Sequence, residues 1–252
     1  MVSIDVNSDL GETTAGNPVS DDAAIIRVVS SANVACGFHA GDPHGIAATL
    51  RAAVARNVSV GAHVGYHDQA GFGRRFIDYA PAELADEVLY QIGALEALAR
   101  SAGTRVAYVK PHGALYNRIV HDPVQAQAVV DGVKAFGGDL PLLLLPGSIA
   151  IERAAAAGLR TVGEAFADRN YNPDGTLVSR SEPDAVIADP DAVAARVVEL
   201  ARTGTIIARD GSPLRMEAES LCVHGDSPGA VELARRIVAS LQEAGVQVQR
   251  FV

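Results

Sequence analysis

Short apolar segments alternate along this chain with longer, alanine-rich segments, and most of the apolar segments run into polar residues. The apolar segments predict β-strands at Ser3–Asn7, Ala32–Cys36, Val58–Gly61, Arg105–Val109, Leu140–Leu145, Arg160–Gly163, Thr205–Ala208, Leu221–Val223 and Val246–Phe251. The longer segments predict helices at Asp21–Ser30, Pro43–Arg56, Pro81–Ser101, Pro123–Phe136, Ser148–Ala157, Pro190–Arg202 and Pro228–Ala244. Repetition of strand, helix and strand implies a parallel sheet with right-handed crossovers.

Several predicted helices begin with a proline that follows an aspartate, as in Asp42-Pro43, Asp122-Pro123 and Asp189-Pro190. Aspartate is a favoured N-cap, and proline loses no hydrogen bond at the first helical position. These pairs therefore predict the starts of three helices.

Two architectures are compatible with this alternation, and we prefer a (β/α) barrel over a doubly wound open sheet. We expect seven strand–helix units rather than eight. No linker rich in Pro, Gly or Ser divides the 252 residues, so we predict one α/β barrel domain over residues 1–252. Two polar segments, Gly65–Tyr79 and Asp168–Asp184, are too long for tight turns, and such loops in compact domains are usually functional.

The charge and the cysteine content restrict the class of protein. The chain has 21 basic and 30 acidic residues and a formal net charge of −9, which disfavours nucleic acid and anionic membranes as partners. Cys36 and Cys222 form no CxxC pair, which indicates a reducing compartment. The amino terminus lacks a signal-peptide pattern, and the apolar run Leu140–Leu145 is far shorter than the ~20 residues of a spanning helix. We therefore expect a soluble, cytoplasmic protein.

Residues capable of acid–base, ionic or metal-binding chemistry follow the predicted strands. The carboxyl ends of parallel barrel strands meet at one rim, so side chains from distant parts of the chain converge there. This rule predicts an active site that includes Asp9, Glu12, His39, His63, Lys110, His112, Glu164, Arg169 and His224.

The segment that begins at Lys110 is the strongest of these signals. A lysine at the end of an apolar strand is costly to bury without a carboxylate partner, and His112 can point into the same cleft. In the first long loop, Arg74 and Arg75 are suited to a carboxylate or a phosphate. The chain has no GxxxxGK[ST] loop, so any use of ATP by it would not follow the P-loop pattern.

Structural explanations compete with functional ones for several of these residues. Asp9 could cap a turn, and His63 could be a core residue with its hydrogen bonds satisfied. Asp168 and Arg169 could pair with each other, and surface pairs contribute little to stability. Cys36 is more simply explained as a small buried thiol than as a nucleophile. The convergence of the polar clusters on one rim nevertheless favours an active site.

Six segments together resemble the LamB/YcsF family. They are NSDLGE (7–12), SANVACGFHAGDP (31–43), GAHVGYHDQAGFGRR (61–75), VKPHGALYN (109–117), GEAFADRNY (163–171) and CVHGD (222–226). The segments are ordered along nearly the whole chain, which makes the match specific. The resemblance implies a distorted (β/α) barrel, similar to those of glycoside hydrolases and metal-dependent carbohydrate deacetylases.

The resemblance also implies a reaction and partners. Members of this family serve as the A subunit of the bacterial ATP-dependent 5-oxoprolinase, which opens 5-oxo-L-proline to L-glutamate while hydrolysing ATP. The implied partners are the B and C subunits, which could supply or share the ATP chemistry.

Within this interpretation the rim residues take specific roles. Asp9 or His112 is the expected acid or base, and Lys110 is the expected electrostatic stabiliser. Asp9, His39 and His63 are the expected ligands of a divalent metal ion, because two histidines and a carboxylate suit a catalytic metal. The expected substrate-binding residues are Glu12, Arg74, Glu164, Arg169 and His224.

Two other functions remain open at this point. Metal-dependent deacetylation of an N-acetylated sugar would use the same acid and histidines without ATP. A non-catalytic binding or scaffold protein would instead use the polar rim to dock a partner. The oligomeric state, including a homo-oligomer, is also left open by the sequence.

Overall fold

Parallel strands close into a barrel in the computed structural model, which describes residues 2–14, 17–223, 225 and 229–252. The strands are, in chain order, β1 (Ser3–Leu10), β2 (Ser31–Ala35), β3 (Ser59–Val64), β4 (Tyr108–Pro111), β5 (Leu142–Leu144), β6 (Thr161–Phe166), β7 (Thr205–Ile207), β8 (Pro213–Arg215), β9 (Ser220–Cys222) and β10 (Gln247–Val248). Within the described residues, β1 to β6 follow one another around the barrel, and β9 pairs in parallel with both β6 and β1. This pairing closes a seven-stranded α/β barrel, so the predicted fold is confirmed and an open sheet is excluded.

Helices connect the barrel strands. They are α1 (Asp22–Ile25), α2 (Pro43–Arg56), α3 (Pro81–Ala102), α4 (Gly113–Arg118), α5 (Pro123–Phe136), α6 (Ile149–Ala156), α7 (Pro190–Thr203) and α8 (Ala230–Glu243). The predicted starts of three helices are confirmed, because the carboxylates of Asp42, Asp122 and Asp189 each accept hydrogen bonds from main-chain N–H groups of the first turn. The prediction of a helix over Asp21–Ser30 was too long, since α1 is a single turn. No helix in the described ranges is both long and apolar enough to cross a membrane.

One predicted strand lies outside the barrel. We expected Thr205–Ala208 to join the parallel sheet, but β7 pairs antiparallel with β8 in a separate hairpin. The turn of this hairpin places Gly211 at φ +87°, a conformation that favours glycine. β7 also exposes Ile207, whereas every residue of β3 is buried. The hairpin therefore lacks the burial on both faces that parallel barrel strands require.

The barrel interior contains a buried polar network below the rim. Alternate side chains of β1 face the same side of the sheet, which places Asp5, Asn7 and Asp9 on one face. Asp5 accepts hydrogen bonds from Ser31 Oγ at 2.7 Å and from Ser220 Oγ. Asn7 Nδ2 donates to the same Ser220 Oγ at 2.7 Å. Burial outweighs these hydrogen bonds and raises the pKa of Asp5 to about 6.

Candidate active site

The cleft at the carboxyl ends of the barrel strands brings together residues from across the chain. It has a volume of about 610 Å³, including space open to solvent. The predicted site residues that line it are Asp9, Glu12, His63, Arg74, Lys110, His112 and Arg169. His39 and Glu164 lie behind this wall, in contact with Glu12 and Lys110 respectively. His224, which was predicted to bind substrate, lies outside the described residues.

The first strand and the turn after it position two carboxylates. β1 extends past its predicted end, so Asp9 lies within the sheet instead of capping a turn. Asp9 is in register with Asn33, whose Nδ2 donates to Asp9 Oδ1 at 2.8 Å. Gly11 then turns the chain at φ +73°, which brings Glu12 to the wall of the cleft.

Lys110, at the end of β4, is a buried cation with two carboxylate partners. Its Nζ lies 2.9 Å from Asp9 Oδ1 and 2.8 Å from Glu164 Oε1, and its side chain is 2% exposed. Burial alone would lower the pKa of Lys110, but the two carboxylates and Cys222 outweigh burial and hold that pKa well above its ordinary value. The carboxylate partner expected for a lysine at this strand end is therefore present, and Lys110 acts as a fixed positive charge instead of a base.

Glu164 lies beneath the cleft and not in its wall, which differs from the expectation that it contacts substrate. Its side chain is fully buried, and Oε1 accepts hydrogen bonds from Lys110 and from Asn7 Nδ2 at 3.0 Å. Its Oε2 and the hydroxyl of Tyr116 are both buried, and the two side chains lie close enough to interact. Burial, followed by the charge of Glu164, raises the pKa of Tyr116 well above its ordinary value. Tyr116 lines the cleft, so its buried hydroxyl lies at the edge of the site, beside the Glu164 carboxylate.

Glu12 and three histidines form a compact group opposite Lys110. Their ligand atoms all lie within 4.8 Å of one another. Glu12 Oε1 is 3.1 Å from His39 Nε2, 3.5 Å from His112 Nδ1 and 3.8 Å from His63 Nε2. Of the predicted ligands Asp9, His39 and His63, the two histidines belong to this group, and Asp9 lies beside it. Asp9 directs Oδ1 to Lys110, and its Oδ2 lies 3.4 Å from His63 Nε2.

Main-chain carbonyl groups orient two of the three imidazole rings. His63 Nδ1 lies 3.1 Å from the carbonyl oxygen of Lys110, and His112 Nε2 lies 2.9 Å from that of Phe72. A carbonyl oxygen only accepts, so each ring donates from these nitrogens. The remaining nitrogens, His63 Nε2 and His112 Nδ1, face each other at 3.0 Å. Two lone pairs at this distance repel, and a proton or a metal cation between or beside them removes the repulsion.

The first long loop packs directly on these rings. Phe72 has a left-handed backbone at φ +53°, which is uncommon for a bulky residue. At Gly73, a Cβ atom would lie 2.7 Å from His39 Cβ and 2.8 Å from His112 Cδ2, so only glycine fits against the two rings. The Gly73 carbonyl also accepts a hydrogen bond from Ala114 N–H at 2.9 Å, which joins the loop to α4. The first long loop is thus part of the wall of the site.

The protonation of the histidines differs from ring to ring. Burial, reinforced by the neighbouring imidazoles, lowers the pKa of both His39 and His112 well below the ordinary value. Burial also opposes a charge on His63, but the carboxylate of Asp9 outweighs it and raises the pKa of His63. His39 and His112 are therefore neutral near pH 7, the form in which imidazole binds metal.

The donor set fits a divalent metal ion. Imidazole nitrogens and a carboxylate are ligands that zinc and other first-row cations bind, and carbonyl groups that orient the rings are typical around metal-binding histidines. The buried Nδ1 of His39 has no hydrogen-bond partner among the described residues. These four residues could therefore hold a cation, as expected from the sequence, although with Glu12 and His112 in place of Asp9.

Arginines line the outer part of the cleft. Arg169 is 5% exposed, and its guanidinium donates to the carbonyl groups of Val178 and Ala185, which ties together the loop that follows β6. Arg180, from the same loop, also lines the cleft. Neither Arg180 nor a role for Tyr116 was predicted from the sequence. The length of the loop that contains Arg180 could have indicated a functional role for that residue. Tyr116 could have been found because it lies in the same segment as Lys110 and His112.

Comparisons with known proteins give a consistent result. The sequence profile of the LamB/YcsF family matches residues 4–252. The 5-oxoprolinase A subunit of Corynebacterium jeikeium (strain K411) is 67% identical over 251 residues, which cover 100% of this chain and 97% of that protein. A lactam utilization protein from Thermus thermophilus superposes with a TM-score of 0.94 and 44% identity, covering 99% of this chain and 100% of that chain. A polysaccharide deacetylase from Bacillus cereus shares the fold, with a TM-score of 0.50 and 13% identity over 100% of this chain and 93% of that chain. The chain therefore belongs to the LamB/YcsF family.

Proposed function

We propose that this chain is the A subunit of an ATP-dependent 5-oxoprolinase and opens 5-oxo-L-proline to L-glutamate together with the B and C subunits. One observation carries the proposal. The buried ammonium group of Lys110, held by two carboxylates, lies in the same cleft as the buried Glu12 and His112. Such a cleft offers a fixed positive charge to a developing oxyanion and acid–base groups to a water molecule. The relative from Corynebacterium jeikeium, which is named for 5-oxoprolinase, supports a lactam as the substrate.

A five-membered lactam is a stable amide, so its hydrolysis needs activation. In the proposed reaction, the lactam oxygen attacks the γ-phosphorus of ATP, and the bond from this phosphorus to the departing ADP oxygen breaks. Water then adds to the ring carbon and loses a proton, the ring C–N bond breaks as nitrogen gains a proton, and an acyl phosphate remains. A second water releases inorganic phosphate and leaves glutamate. Because this chain lacks a P-loop, we assign the nucleotide to the partner subunits.

Two groups would stabilise negative charge on the reacting oxygen. Lys110 provides a permanent charge, since Asp9 and Glu164 hold it protonated. The Tyr116 hydroxyl provides a second buried donor at the edge of the cleft. Donors that are fixed in a buried cleft stabilise a developing charge without reorganisation during the reaction. Glu164 is then a positioning residue, because it contacts Lys110 and not the cleft.

The geometry favours Asp9 over His112 as the group that accepts the proton of water. Both nitrogens of His112 are engaged, one with the Phe72 carbonyl and the other facing His63. Asp9 lines the cleft and has one carboxylate oxygen on Lys110, while the other lies near His63. A strand end is also a rigid support for a base.

The metal ion belongs to this proposal as an expectation that can be tested directly. Glu12, His39, His63 and His112 would hold it, and when bound it would supply Lewis-acid polarisation of an oxygen in the cleft. Elemental analysis and treatment with EDTA provide the test. Unchanged activity in protein shown to be metal-free would remove the metal from the proposal.

The anionic groups of the substrate require cationic partners, and the outer part of the cleft supplies them. Arg74 and Arg169 both line the cleft, and the guanidinium of Arg74 lies over the ring of Phe72. A guanidinium binds a carboxylate through two parallel hydrogen bonds. We therefore assign the substrate carboxylate to these two residues, whereas Glu12, expected from the sequence to contact substrate, contacts the histidines.

The decisive experiment reconstitutes the reaction. This chain and the purified B and C subunits are mixed with 5-oxo-L-proline and ATP, and glutamate is measured with and without this chain. Glutamate formation that persists without the chain would defeat the proposal. Lys110→Ala, which removes the positive charge, and Asp9→Asn, which removes the assigned base, should each lower the rate by about 10²-fold or more. Lys134→Ala, which removes an exposed lysine on α5, is the matched control and should leave the rate unchanged.

A second candidate is metal-dependent deacetylation of an N-acetylated sugar. The observation that favours it is the buried group of one carboxylate and three imidazoles, which is sufficient for metal-assisted hydrolysis without nucleotide. Release of acetate from an N-acetylated sugar by this chain alone, without ATP and without partner subunits, would support this function over the first.

A further inference from the structure

A chain of side-chain hydrogen bonds inside the barrel reaches the carboxylate of Asp9 from below. It begins at Tyr108 on β4, continues through Asn33 on β2 and ends at Asp9 on β1. The hydroxyl of Tyr108 donates to Asn33 Oδ1 at 2.6 Å, and Asn33 Nδ2 donates to Asp9 Oδ1 at 2.8 Å. Tyr108 and Asn33 are fully buried, so both hydrogen bonds are shielded from bulk water.

The amide group of Asn33 has one favourable orientation in this network. An amide nitrogen carries two hydrogens, and Asn33 Nδ2 donates one to Asp9 and the other to Asn7 Oδ1 at 2.7 Å. A flipped amide would place its oxygen against these two acceptor oxygens. Asn7 is oriented in the same way, because its Nδ2 donates to Glu164 Oε1 and to Ser220 Oγ. The direction of each hydrogen bond is therefore set by the acceptors at the ends of the network.

The barrel interior also fixes the position of the Tyr108 ring. Gly61 is the register partner of Tyr108, and a Cβ atom at this glycine would collide with the ring. The ring packs with Leu143 and Val162, and its centroid lies 4.9 Å from that of Phe251. Burial raises the pKa of Tyr108 well above its ordinary value, so the phenol keeps its proton and remains a donor to Asn33.

Lys110 attracts the carboxylate of Asp9 but does not by itself set its rotation. An ammonium group is a compact charge with three rotatable donors, whereas an amide N–H donates along a direction fixed by the amide plane. Lys110 Nζ and Asn33 Nδ2 both donate to Asp9 Oδ1, at 2.9 Å and 2.8 Å. This oxygen is therefore held from two directions, and the position of Oδ2, 3.4 Å from His63 Nε2, follows from it.

We propose that Asn33, oriented by Tyr108, is a positioning residue that fixes the rotation of the Asp9 carboxylate and thereby directs Oδ2 to the attacking water. This inference rests on the proposed function, in which Asp9 accepts the proton of that water. A base must lie within hydrogen-bond reach of the proton that it removes, and misplacement by about 1 Å can lower a rate about 10²-fold. Asn33 and Tyr108 lie beneath the cleft, so they act through Asp9 and not on the substrate.

The test compares two tyrosine variants that lose the same kind of hydrogen bond. Tyr108→Phe removes the hydroxyl that donates to Asn33, and Tyr66→Phe removes a fully buried hydroxyl that donates to Gln125 Oε1 on α5, outside the barrel. Both variants should lower the melting temperature by similar amounts, since each leaves a buried amide oxygen without this donor.

Steady-state kinetics then separate positioning from stability. In the reconstituted reaction with the B and C subunits, Tyr108→Phe should lower kcat for glutamate formation by about tenfold and change KM for 5-oxo-L-proline by less than about twofold. Tyr66→Phe should change both constants by less than about twofold. Asn33→Leu has a similar side-chain volume, removes the hydrogen bond to Asp9 itself and should lower kcat by about 10²-fold.

Three kinetic results would overturn the inference. They are an equal kcat in Tyr108→Phe and Tyr66→Phe, a wild-type kcat in Asn33→Leu, and a higher KM with unchanged kcat in Tyr108→Phe. If Asn33→Leu does not fold, the two tyrosine variants decide the question by themselves.

Crystal structures of the wild type and Tyr108→Phe distinguish failure of this inference from failure of the proposed function. We expect the Asp9 carboxylate to rotate by more than about 30° in the variant. An unchanged carboxylate would overturn the positioning role, whatever reaction the chain catalyses. Glutamate formation that does not depend on the wild-type chain would instead defeat the proposed function, and the structural comparison would still test the role of Asn33 and Tyr108.

Discussion

Replacing Lys110 with methionine tests whether the buried ion pairs behave as the structure implies. Methionine has a similar length and no branch, so it fills most of the space of the lysine stem while removing the charge. The replacement removes the ammonium group that pairs with Asp9 and Glu164. The side chain of Asp9 is 16% exposed and can be hydrated in part, whereas that of Glu164 is fully buried and cannot.

The expected loss of unfolding free energy follows from this difference in exposure. Removal of one partner of a buried ion pair costs about 3–5 kcal/mol, because an uncompensated charge remains in the interior. We expect Lys110→Met to lower the free energy of unfolding by this amount. Adding Glu164→Gln neutralises the fully buried carboxylate and should restore about 2 kcal/mol, since the amide oxygen can still accept from Asn7.

The assay is urea denaturation at pH 7, followed by circular dichroism, for the wild type, both single variants and the double variant. Lys134→Met removes the charge of an exposed lysine and should change the unfolding free energy by less than about 0.5 kcal/mol. If Lys110→Met lowers the unfolding free energy by less than about 1 kcal/mol, the lysine is not desolvated between its carboxylate partners. Additive effects of the two substitutions would show that Lys110 and Glu164 do not interact.

Three further predictions follow from the same site and its supporting network. Tyr116→Phe should lower the rate of glutamate formation by about 10-fold or more with little change in thermal stability, since it removes one donor at the edge of the cleft and keeps the ring. Tyr90→Phe, at an exposed position, is the control, and equal rates in the two variants would contradict the role of Tyr116. His39→Ala should lose a divalent cation that elemental analysis detects in the wild type, and retention of the cation would contradict the proposed ligand set. Relative to Asp5→Asn, the wild type should lose unfolding free energy as the pH rises from about 4 to about 6. The Asp5 carboxyl has a pKa of about 6 in the folded protein and of 3.8 in the unfolded chain, so only the folded protein holds the proton between these values. The stabilisation from this group is therefore complete below pH 3.8 and is lost as the pH rises through 6. Parallel stability–pH curves from urea unfolding of the two proteins would refute this effect.

Local signals in the sequence were sufficient for the barrel and for most of its rim. Each Asp–Pro pair marks a helix start through hydrogen bonds within one turn, so Asp42 and Asp122 could be recognised without tertiary information. Because parallel strands present their carboxyl ends at one edge, the sequence also predicted that Lys110 and His112 would lie in the same cleft, as they do. Both inferences depend on backbone geometry that every chain of this pattern shares. The turn around Gly211 was also a local signal, and it would have identified the β7–β8 hairpin.

Only the tertiary structure decided how the rim side chains pair. Asp9 and Glu12 are three positions apart and chemically alike, yet Asp9 contacts Lys110 while Glu12 joins the histidines, because one lies in the strand and the other follows the turn at Gly11. The placement of Arg180 likewise depends on how a long loop returns to the barrel. Ion pairs and metal ligation change over distances of a few ångströms, and sequence periodicity specifies a face of the fold but not an atomic distance. The sequence therefore determined which chemical groups meet at the rim, and the closure of the barrel determined their partners.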